Sequence, residues 1–352
     1  MRGRPQKNML QSEKSHAAVR QKEKGKNMSN KVVILTTGGT IAMRLDPERG
    51  IVPAVSGPEL IVAVPPLAGI CPVEVREFAN IPSPHMTPAT MYSLALYAEK
   101  ALAEPDVCGV VITHGTDTME ETAYFLDLFI GGEKPVCLVG AMRSAAEISP
   151  DGPKNILCAV RCAASPEARG MGVFVVMNEE IHAAREVTKT HAANPKTFAS
   201  PFWGPLGYVD EDRVVFRRLP LDRQTIRPAA IEKDVHLVKF AAGMDDFLIN
   251  CLVDRGVKGI VVEASGRGNV HESAMPGIRR AVESGIAVVV VSHCVGGRVL
   301  DVYGYAGSAK RQKEIGVILG GEISGQKARI KLILALGVTN NPVQLAGYFD
   351  NP

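Results

Sequence analysis

The chain has 352 residues, of which 46% are hydrophobic, 22% charged and 5% aromatic. This composition excludes a disordered chain, leaves room for two domains, and contains no apolar run long enough to cross a bilayer. The net charge of +3 comes from a basic tail, because residues 1–30 hold eight Lys or Arg and two Asp or Glu. That tail carries +6 and the remainder −3, which argues against a nucleic-acid-binding face.

The tail also lacks the apolar segment that a secretory signal requires. We therefore expect residues 1–28 to be a disordered basic tail, or translation to begin at Met28, where the sequence MSNKVVIL resembles a natural protein start. A chain without a secretory signal is expected to be cytoplasmic.

Short β-branched runs alternate with longer amphipathic stretches along the rest of the chain. The runs predict strands at residues 32–36, 107–113, 136–140, 173–177, 235–240, 259–263 and 287–292. The longer stretches predict helices at residues 88–104, 119–130, 152–164, 244–255 and 276–284. Strands buried on both faces with helices between them indicate parallel α/β sheets.

The alternation of predicted strands and helices stops at residues 216–234, a polar stretch that contains prolines and is typical of a linker. We therefore predict an α/β protein of two domains. The larger, at residues 29–215, is a mostly parallel doubly wound sheet, and the smaller, at residues 235–352, is a flavodoxin-like α/β domain. Residues 216–234 join them.

Two predicted strands of the larger domain end in polar turns. The first is followed by TGGT at residues 37–40, where glycines let the backbone turn sharply and a ligand approach closely. The second is followed by HGTDT at residues 114–118, where Thr116 and Asp117 place a hydroxyl beside a carboxylate. Open α/β sheets bind ligands at such strand ends, although each turn alone is also compatible with a plain helix cap.

Lys189 lies in a third polar segment, EVTKT, after another predicted strand. A lysine near a hydroxyl can lower the pKa of that hydroxyl or take its proton, although a lone surface lysine is the more ordinary interpretation. Together, Thr40, Thr116, Asp117 and Lys189 would form a site that activates a hydroxyl nucleophile without histidine or metal.

The cysteines and histidines give no metal pattern. The seven cysteines are odd in number and contain no CxxC motif, so we expect reduced core thiols. His182 and His191 lack an acidic partner at ligand spacing, so we expect them to be solvated loop residues. No metal and no cofactor is predicted.

Several segments resemble the bacterial-type asparaginase/glutaminase family. Its two signatures match TGGTIA at residues 37–42 and ITHGTDTMEET at residues 112–122. Further similar segments lie at residues 139–155, 186–190, 202–209 and 324–336, so the resemblance covers essentially residue 31 to the C-terminus. It implies hydrolysis of L-asparagine to L-aspartate and ammonia through a threonine acyl ester, as part of asparagine catabolism. It also implies a homo-oligomer built as a dimer of dimers, a homotetramer.

The resemblance assigns roles to the four residues of the predicted site. Thr40 matches the nucleophile and Thr116 the second essential threonine. Lys189 matches the lysine that activates this second threonine, and Asp117 the carboxylate that binds the substrate's α-amino group.

Three more positions match substrate contacts. Gly39 belongs to the first signature, Ser83 matches a residue that holds the substrate carboxylate, and Ala141 matches a residue whose backbone contacts the side-chain amide.

Three positions depart from the family, and one is Gly243, near where many relatives carry an Asn that reaches into the neighbouring subunit's site. No tyrosine lies near Ile51, where relatives carry one on a mobile loop, and Pro84 follows Ser83 where Gln or Glu is common.

Other functions remain open at this point. A glutaminase, or an enzyme with both activities, would use the same residues, because asparagine and glutamine differ by one methylene. The glutamine-hydrolysing subunit of a tRNA-dependent amidotransferase usually has an additional N-terminal domain, for which residues 1–30 are too few. A catalytically weak amino-acid-binding protein on the same fold is the alternative of another class.

Overall fold

The protein is described by a computed structural model, which covers residues 30–39, 41, 43–46, 50–53, 64–220 and 223–350. The predicted tail at residues 1–28 and the predicted nucleophile Thr40 lie outside the described residues. Within the described chain no helix is both long and apolar enough to cross a membrane.

The strands and helices follow the predicted alternation. The strands before residue 217 are β1 (Lys31–Thr36), β2 (Met43–Asp46), β3 (Gly50–Pro53), β4 (Val73–Glu77), β5 (Val107–Thr113), β6 (Val136–Val139), β7 (Val173–Met177), β8 (Glu180–Ala183), β9 (Thr188–Lys189), β10 (Phe198–Ala199), β11 (Gly207–Asp210) and β12 (Arg213–Phe216). The helices between them are α1 (Pro88–Leu102), α2 (Met119–Phe129) and α3 (Gly152–Ala164).

Eight of these strands form one sheet, in the order β12-β11-β8-β7-β6-β5-β1-β4. The neighbouring strands β4, β1, β5, β6 and β7 pair in parallel in that order. Strands β8, β11 and β12 extend the sheet beyond β7 by antiparallel pairing. Phe216, placed in the predicted linker, is the last residue of β12 and pairs with Gly207. The mostly parallel sheet predicted for the N-terminal region is confirmed.

A second, smaller sheet forms beyond residue 234. Its strands are β13 (Val235–Lys239), β14 (Gly259–Ala264), β15 (Ala287–Ser292) and β16 (Ile318–Leu319), and its helices are α4 (Phe247–Arg255), α5 (Met275–Glu283), α6 (Ala309–Glu314), α7 (Gly325–Leu336) and α8 (Pro342–Phe349). The four strands are parallel and lie in chain order. Two parallel α/β sheets are the predicted fold class.

The helix predicted at residues 244–255 begins later, at Phe247. Residue Asp246 precedes its first turn, and Asp245 accepts a hydrogen bond from the Phe247 backbone nitrogen at 3.0 Å. A short acidic side chain such as Asp245 that accepts from nearby backbone ordinarily favours the start of a helix over its interior.

Helix α7 packs between the two sheets. It contacts α2 on one side and both β13 and β14 on the other. Most of its residues are buried, because its sequence GQKARIKLILAL is apolar on nearly every face, as expected of a helix enclosed by protein. The buried core is therefore continuous from one sheet to the other.

Two expectations about single residues are wrong. Cys251 and Cys294 are exposed rather than core residues, although all seven cysteines are free thiols. His182 is buried on β8, where its Nδ1 lies 3.1 Å from the Ser200 hydroxyl, so it is no solvated loop residue. His191 is exposed, and its Nδ1 accepts hydrogen bonds from the backbone of the following loop.

The carboxyl ends of β1 and β5 are joined closely. Just beyond β1, the backbone nitrogen and the hydroxyl of Thr37 both donate to the Thr113 carbonyl, at 3.2 and 2.8 Å. Gly39 follows in a left-handed conformation (φ +89°), and a Cβ there would lie 2.4 Å from the Gly115 nitrogen. The two turns after these strands thus touch backbone to backbone.

We expect Gly39→Ala to lower the free energy of unfolding by about 2 kcal/mol or more, because the new methyl meets rigid backbone and the left-handed conformation strains an L side chain. Chemical denaturation measures the change. Gly131→Ala is the matched control, because Gly131 is exposed, has no left-handed φ, and a Cβ there meets no atom within 4 Å. Equal stability of the two variants would contradict the expectation.

Candidate active site

Three polar segments converge at one edge of the larger sheet because they follow three neighbouring parallel strands. The segment after β1 touches the segment after β5 through Gly39 and Gly115. The segment after β6 begins with Gly140, where a Cβ would lie 3.1 Å from the Thr116 methyl carbon. Among the described residues, the turns that begin after these three strands are therefore neighbours in space.

Lys189 completes this cluster. Its Nζ donates to the Thr116 Oγ1 at 2.9 Å and to the Asp117 Oδ1 at 2.7 Å. The Thr116 residue is 7% exposed and the Lys189 side chain 13%, whereas the Asp117 side chain is 61% exposed. The lysine is thus enclosed between a buried hydroxyl and a carboxylate that faces outward.

This geometry fixes the direction of the hydrogen bonds. Because the ammonium donates to Thr116 Oγ1, that hydroxyl keeps its own proton for another partner. A positive charge at hydrogen-bonding distance also stabilises negative charge that develops on the threonine oxygen. The open face of Asp117 can receive a cationic group from a ligand.

The backbone of Lys189 is held by Glu120 at the start of α2. One carboxylate oxygen of Glu120 accepts from the Thr188 hydroxyl at 3.2 Å and from the Lys189 backbone nitrogen at 3.4 Å. The strand β9 also pairs with β10, with Lys189 opposite Phe198. The sequence interpretation missed this role of Glu120, since an acidic residue in the first turn of a helix is ordinary.

Ser83 lies against the same turn from the other side. Its hydroxyl oxygen accepts from the Asp117 backbone nitrogen at 3.2 Å, and its carbonyl accepts from the Thr118 hydroxyl at 2.7 Å. Ser83 is buried, and a Cβ on Gly115 would come within 2.7 Å of its hydroxyl. Since this hydroxyl accepts from protein, its proton is available to an acidic group of a ligand. The next residue, Pro84, is exposed.

Ala141 is positioned by the start of α3. The Asp151 carboxylate accepts from the backbone nitrogens of Met142 and Arg143, at 3.1 and 2.9 Å. The Asn155 side-chain amide donates to the Gly140 carbonyl at 3.0 Å and to Asp151 at 3.1 Å. Ala141, itself buried, is thereby held between two anchored peptide groups. The sequence interpretation identified Ala141 and missed the pair Asp151 and Asn155.

His114 is the buried histidine nearest the cluster. Its Nδ1 lies 2.6 Å from the Gly115 carbonyl, which can only accept, so Nδ1 carries the proton and Nε2 accepts from the Thr122 hydroxyl at 2.9 Å. Burial lowers the pKa of His114 to about 4. It is therefore neutral at physiological pH and serves to shape the turn.

Thr40 and Ile51 are the two remaining positions singled out in the sequence. Thr40 lies outside the described residues, but its chain neighbours do not: Gly39 lies against Gly115, and Ile41 is buried with its side chain near Gly152. Ile51 lies in β3, opposite Leu45 of β2 in an antiparallel hairpin. Within the described part of the chain, no group of three His, Cys, Asp or Glu side chains is placed to hold a metal ion.

Comparison with known proteins agrees with this architecture. Two family models match the chain: "Asparaginase, N-terminal" at residues 31–221 and "Glutaminase/Asparaginase C-terminal domain" at residues 234–349. The chain is 38% identical to an L-asparaginase of Bacillus licheniformis over 88% of this chain and 96% of that protein. It is 34% identical to a glutaminase-asparaginase of Pseudomonas fluorescens biotype A, over 90% of this chain and 89% of that protein.

A solved structure is similar as well. It is the crystal structure of a probable cytoplasmic L-asparaginase from Campylobacter jejuni, with a TM-score of 0.83 and 36% identity, covering 92% of this chain and all of that one. Because both family models match in order and together span most of the sequence, the chain belongs to the asparaginase family.

Proposed function

We propose that the protein is an L-asparaginase that hydrolyses L-asparagine to L-aspartate and ammonia, with Thr40 as the nucleophile. The observation that carries the proposal is the placement of the Lys189 ammonium between the Thr116 hydroxyl and the Asp117 carboxylate. The names of the similar proteins support asparagine as the substrate.

Substrate binding follows from the groups around the cluster. The exposed Asp117 carboxylate pairs with the α-ammonium group of asparagine, and the Ser83 hydroxyl donates to the α-carboxylate. These two contacts fix the amino-acid end. The side-chain amide then extends toward the anchored segment at Ala141, whose carbonyl accepts from the amide nitrogen.

The reaction proceeds in two acyl transfers. The Thr40 hydroxyl oxygen attacks the amide carbon, its proton passes to the departing nitrogen, and ammonia leaves as an ester forms. A water molecule, hydrogen-bonded to Thr116, then attacks the ester carbon and gives up a proton as the Thr40 hydroxyl is restored. An unaided threonine hydroxyl is a weak nucleophile, so both steps depend on the charge network of Lys189 and Asp117.

The position of Thr40 in the chain supports its role. Its two sequence neighbours lie beside Gly115 and near Gly152, and an added Cβ on Gly152 would be 3.5 Å from the Ala141 methyl. The residues on either side of Thr40 are therefore near the turn after β5 and the segment after β6. With no tyrosine near Ile51, either another group assists Thr40 or this loop works differently from that of the family.

L-Glutamine is the second candidate substrate, because one similar protein is named a glutaminase-asparaginase. The extra methylene is worth about 1–3 kcal/mol of discrimination in a shaped pocket. Pro84, next to Ser83, is the position at which this chain departs from its relatives near the amino-acid end. We place the enzyme in the cytoplasm, in agreement with the name of the similar solved structure.

Thr40→Ala should reduce ammonia release from L-asparagine by at least about 10⁴-fold, because the variant has no hydroxyl to acylate. Thr40→Ser, which keeps a hydroxyl, should retain measurable activity. A coupled ammonia assay with L-asparagine and L-glutamine in parallel gives both results and the substrate preference. Wild-type rates in Thr40→Ala would contradict the nucleophile. Binding without release by the wild-type protein would support an amino-acid-binding role instead.

Lys189→Met should lower kcat by about 100- to 1,000-fold, since it removes a charge-assisted donor from the reacting hydroxyl network. Lys196→Met is the matched control, because Lys196 lies in the loop between β9 and β10, has a side chain 65% exposed and pairs with Glu180. Steady-state kinetics on both variants tests the role of Lys189. Similar kcat values for the two would argue against it.

We also propose that the protein is a homotetramer, a dimer of dimers. An exposed apolar patch supports association: Phe202, Trp203 and Val295 are each more than 60% exposed. Phe202 lies against Gly296, where a Cβ would be 2.0 Å from the ring, so the patch joins loops of both sheets. Such patches on soluble proteins commonly mark interfaces. Light scattering should give the mass of four chains at micromolar concentration, and the mass of one chain would contradict the proposal.

A further inference from the structure

Helix α7 carries a buried lysine directed at the segment that holds Lys189. Lys327 is 3% exposed, and its Nζ donates to the Arg185 carbonyl at 2.9 Å and, over a short distance, to the Val187 carbonyl. It also lies 5.9 Å from the centre of the Tyr124 ring of α2. The ammonium of this C-terminal helix is thus enclosed by residues that belong to the larger sheet and its helix α2.

The two carbonyl acceptors lie in the turn that leads into Lys189. Residues 184–186 form a turn between β8 and β9, and Val187 is the last residue before Thr188. The backbone of Val187 is held at both ends, since its nitrogen donates to the Ala183 carbonyl at 3.0 Å and its oxygen accepts from Lys327. A shift of this peptide group moves the next two residues.

A second contact, from Glu120 at the start of α2, fixes the same segment. Glu120 accepts from the Thr188 hydroxyl and the Lys189 nitrogen, as described above. Two carbonyls are thus held by a cation, and one N–H and one O–H donor by an anion, within the five residues 185–189. Hydrogen bonds to a cation and to an anion leave the segment little freedom to slide or rotate.

Burial of this cation is costly, which argues for a role. Burial lowers the pKa of Lys327 to about 8, and the negative charge of Glu120 opposes that shift. The neighbouring positions Ile330 and Leu334 of α7 are apolar and buried. A buried charge is often no more stabilising than an apolar side chain of similar size, so stability alone does not account for a lysine here.

We infer that Lys327 is a positioning residue for Lys189, holding the β8–β9 turn so that the Lys189 ammonium reaches Thr116 and Asp117. The inference rests on the proposed function, which gives Lys189 its catalytic role. It assigns to α7, a helix of the C-terminal region, a structural part in the site formed by the larger sheet.

Lys327→Met tests this, because methionine fills a similar volume without a donor. We expect kcat for L-asparagine to fall by about 10- to 100-fold, with KM changed less than about threefold because Asp117 and Ser83 remain. In its crystal structure the distance from Lys189 Nζ to Thr116 Oγ1 should exceed 3.5 Å, beyond hydrogen-bonding range. If this variant does not fold, Lys327→Gln, which is neutral and shorter, carries the same two expectations.

Lys331→Met is the matched control. Lys331 lies one turn further along α7, is 1% exposed, and has its ammonium 5.2 Å from the centre of the Phe349 ring. Burial lowers its pKa to about 7. Among the described residues no hydrogen bond joins it to the β8–β9 turn. This control should keep kcat within about twofold and the 2.9 Å contact intact.

The outcomes separate the inference from the proposed function. Wild-type kcat and an unchanged Lys189–Thr116 distance in Lys327→Met would overturn the inference, as would an equal loss of kcat in Lys331→Met. If the wild-type protein releases no ammonia from asparagine or glutamine, the proposed function fails. The distance measured in the two variants still decides whether Lys327 positions Lys189.

Discussion

The site depends on one interaction, the pair of hydrogen bonds from the Lys189 ammonium to Thr116 and Asp117. The acceptors follow a central strand of the sheet, whereas the lysine comes from a two-residue strand outside it. Each side must therefore be placed independently and to within a few tenths of an ångström. The glycine contact at Gly115 and the Ser83 hydrogen bonds place the acceptors, and the β9–β10 pairing and Glu120 place the donor.

The parallel sheets were predictable because their strands are unbroken β-branched runs. The strands β5, β7 and β15 have the predicted bounds, since each is a nearly continuous run of buried apolar residues. The antiparallel strands β11 and β12 were not predicted. Each is four residues long, and β12 has no fully buried position, so neither gives the long buried run by which the parallel strands were recognised.

Helix α7 was missed for the opposite reason. Its apolar residues lie all around the helix axis, so its sequence shows no amphipathic periodicity. The reason is visible only in the structure, where α2 covers one side of the helix and strands β13 and β14 cover the other. His182 was misjudged because polarity alone does not predict exposure. Its burial follows from an interior position on β8, opposite Val175.

Some residues of the site were likewise predictable from the sequence, and others were found only in the structure. The strand-end position of Thr116 and Asp117 followed from the sequence pattern, whereas the substrate contacts of Ser83 and Ala141 came from the family resemblance. The supporting residues Glu120, Asp151 and Asn155 came from neither. They act through contacts with backbone groups whose spacing along the chain is irregular, and such contacts leave no periodic signal in a single sequence.

The contact between α7 and the β8–β9 turn links residues 140 positions apart in the chain. During synthesis, every strand of the larger sheet therefore leaves the ribosome long before Lys327 exists. Until α7 arrives, the Val187 carbonyl lacks its buried partner, and an unpaired buried carbonyl opposes closure of the segment around it. The larger sheet can pair its strands early, but the segment that carries Lys189 is fully ordered only when the chain is nearly complete. A truncated product thus folds in part without acquiring a finished site.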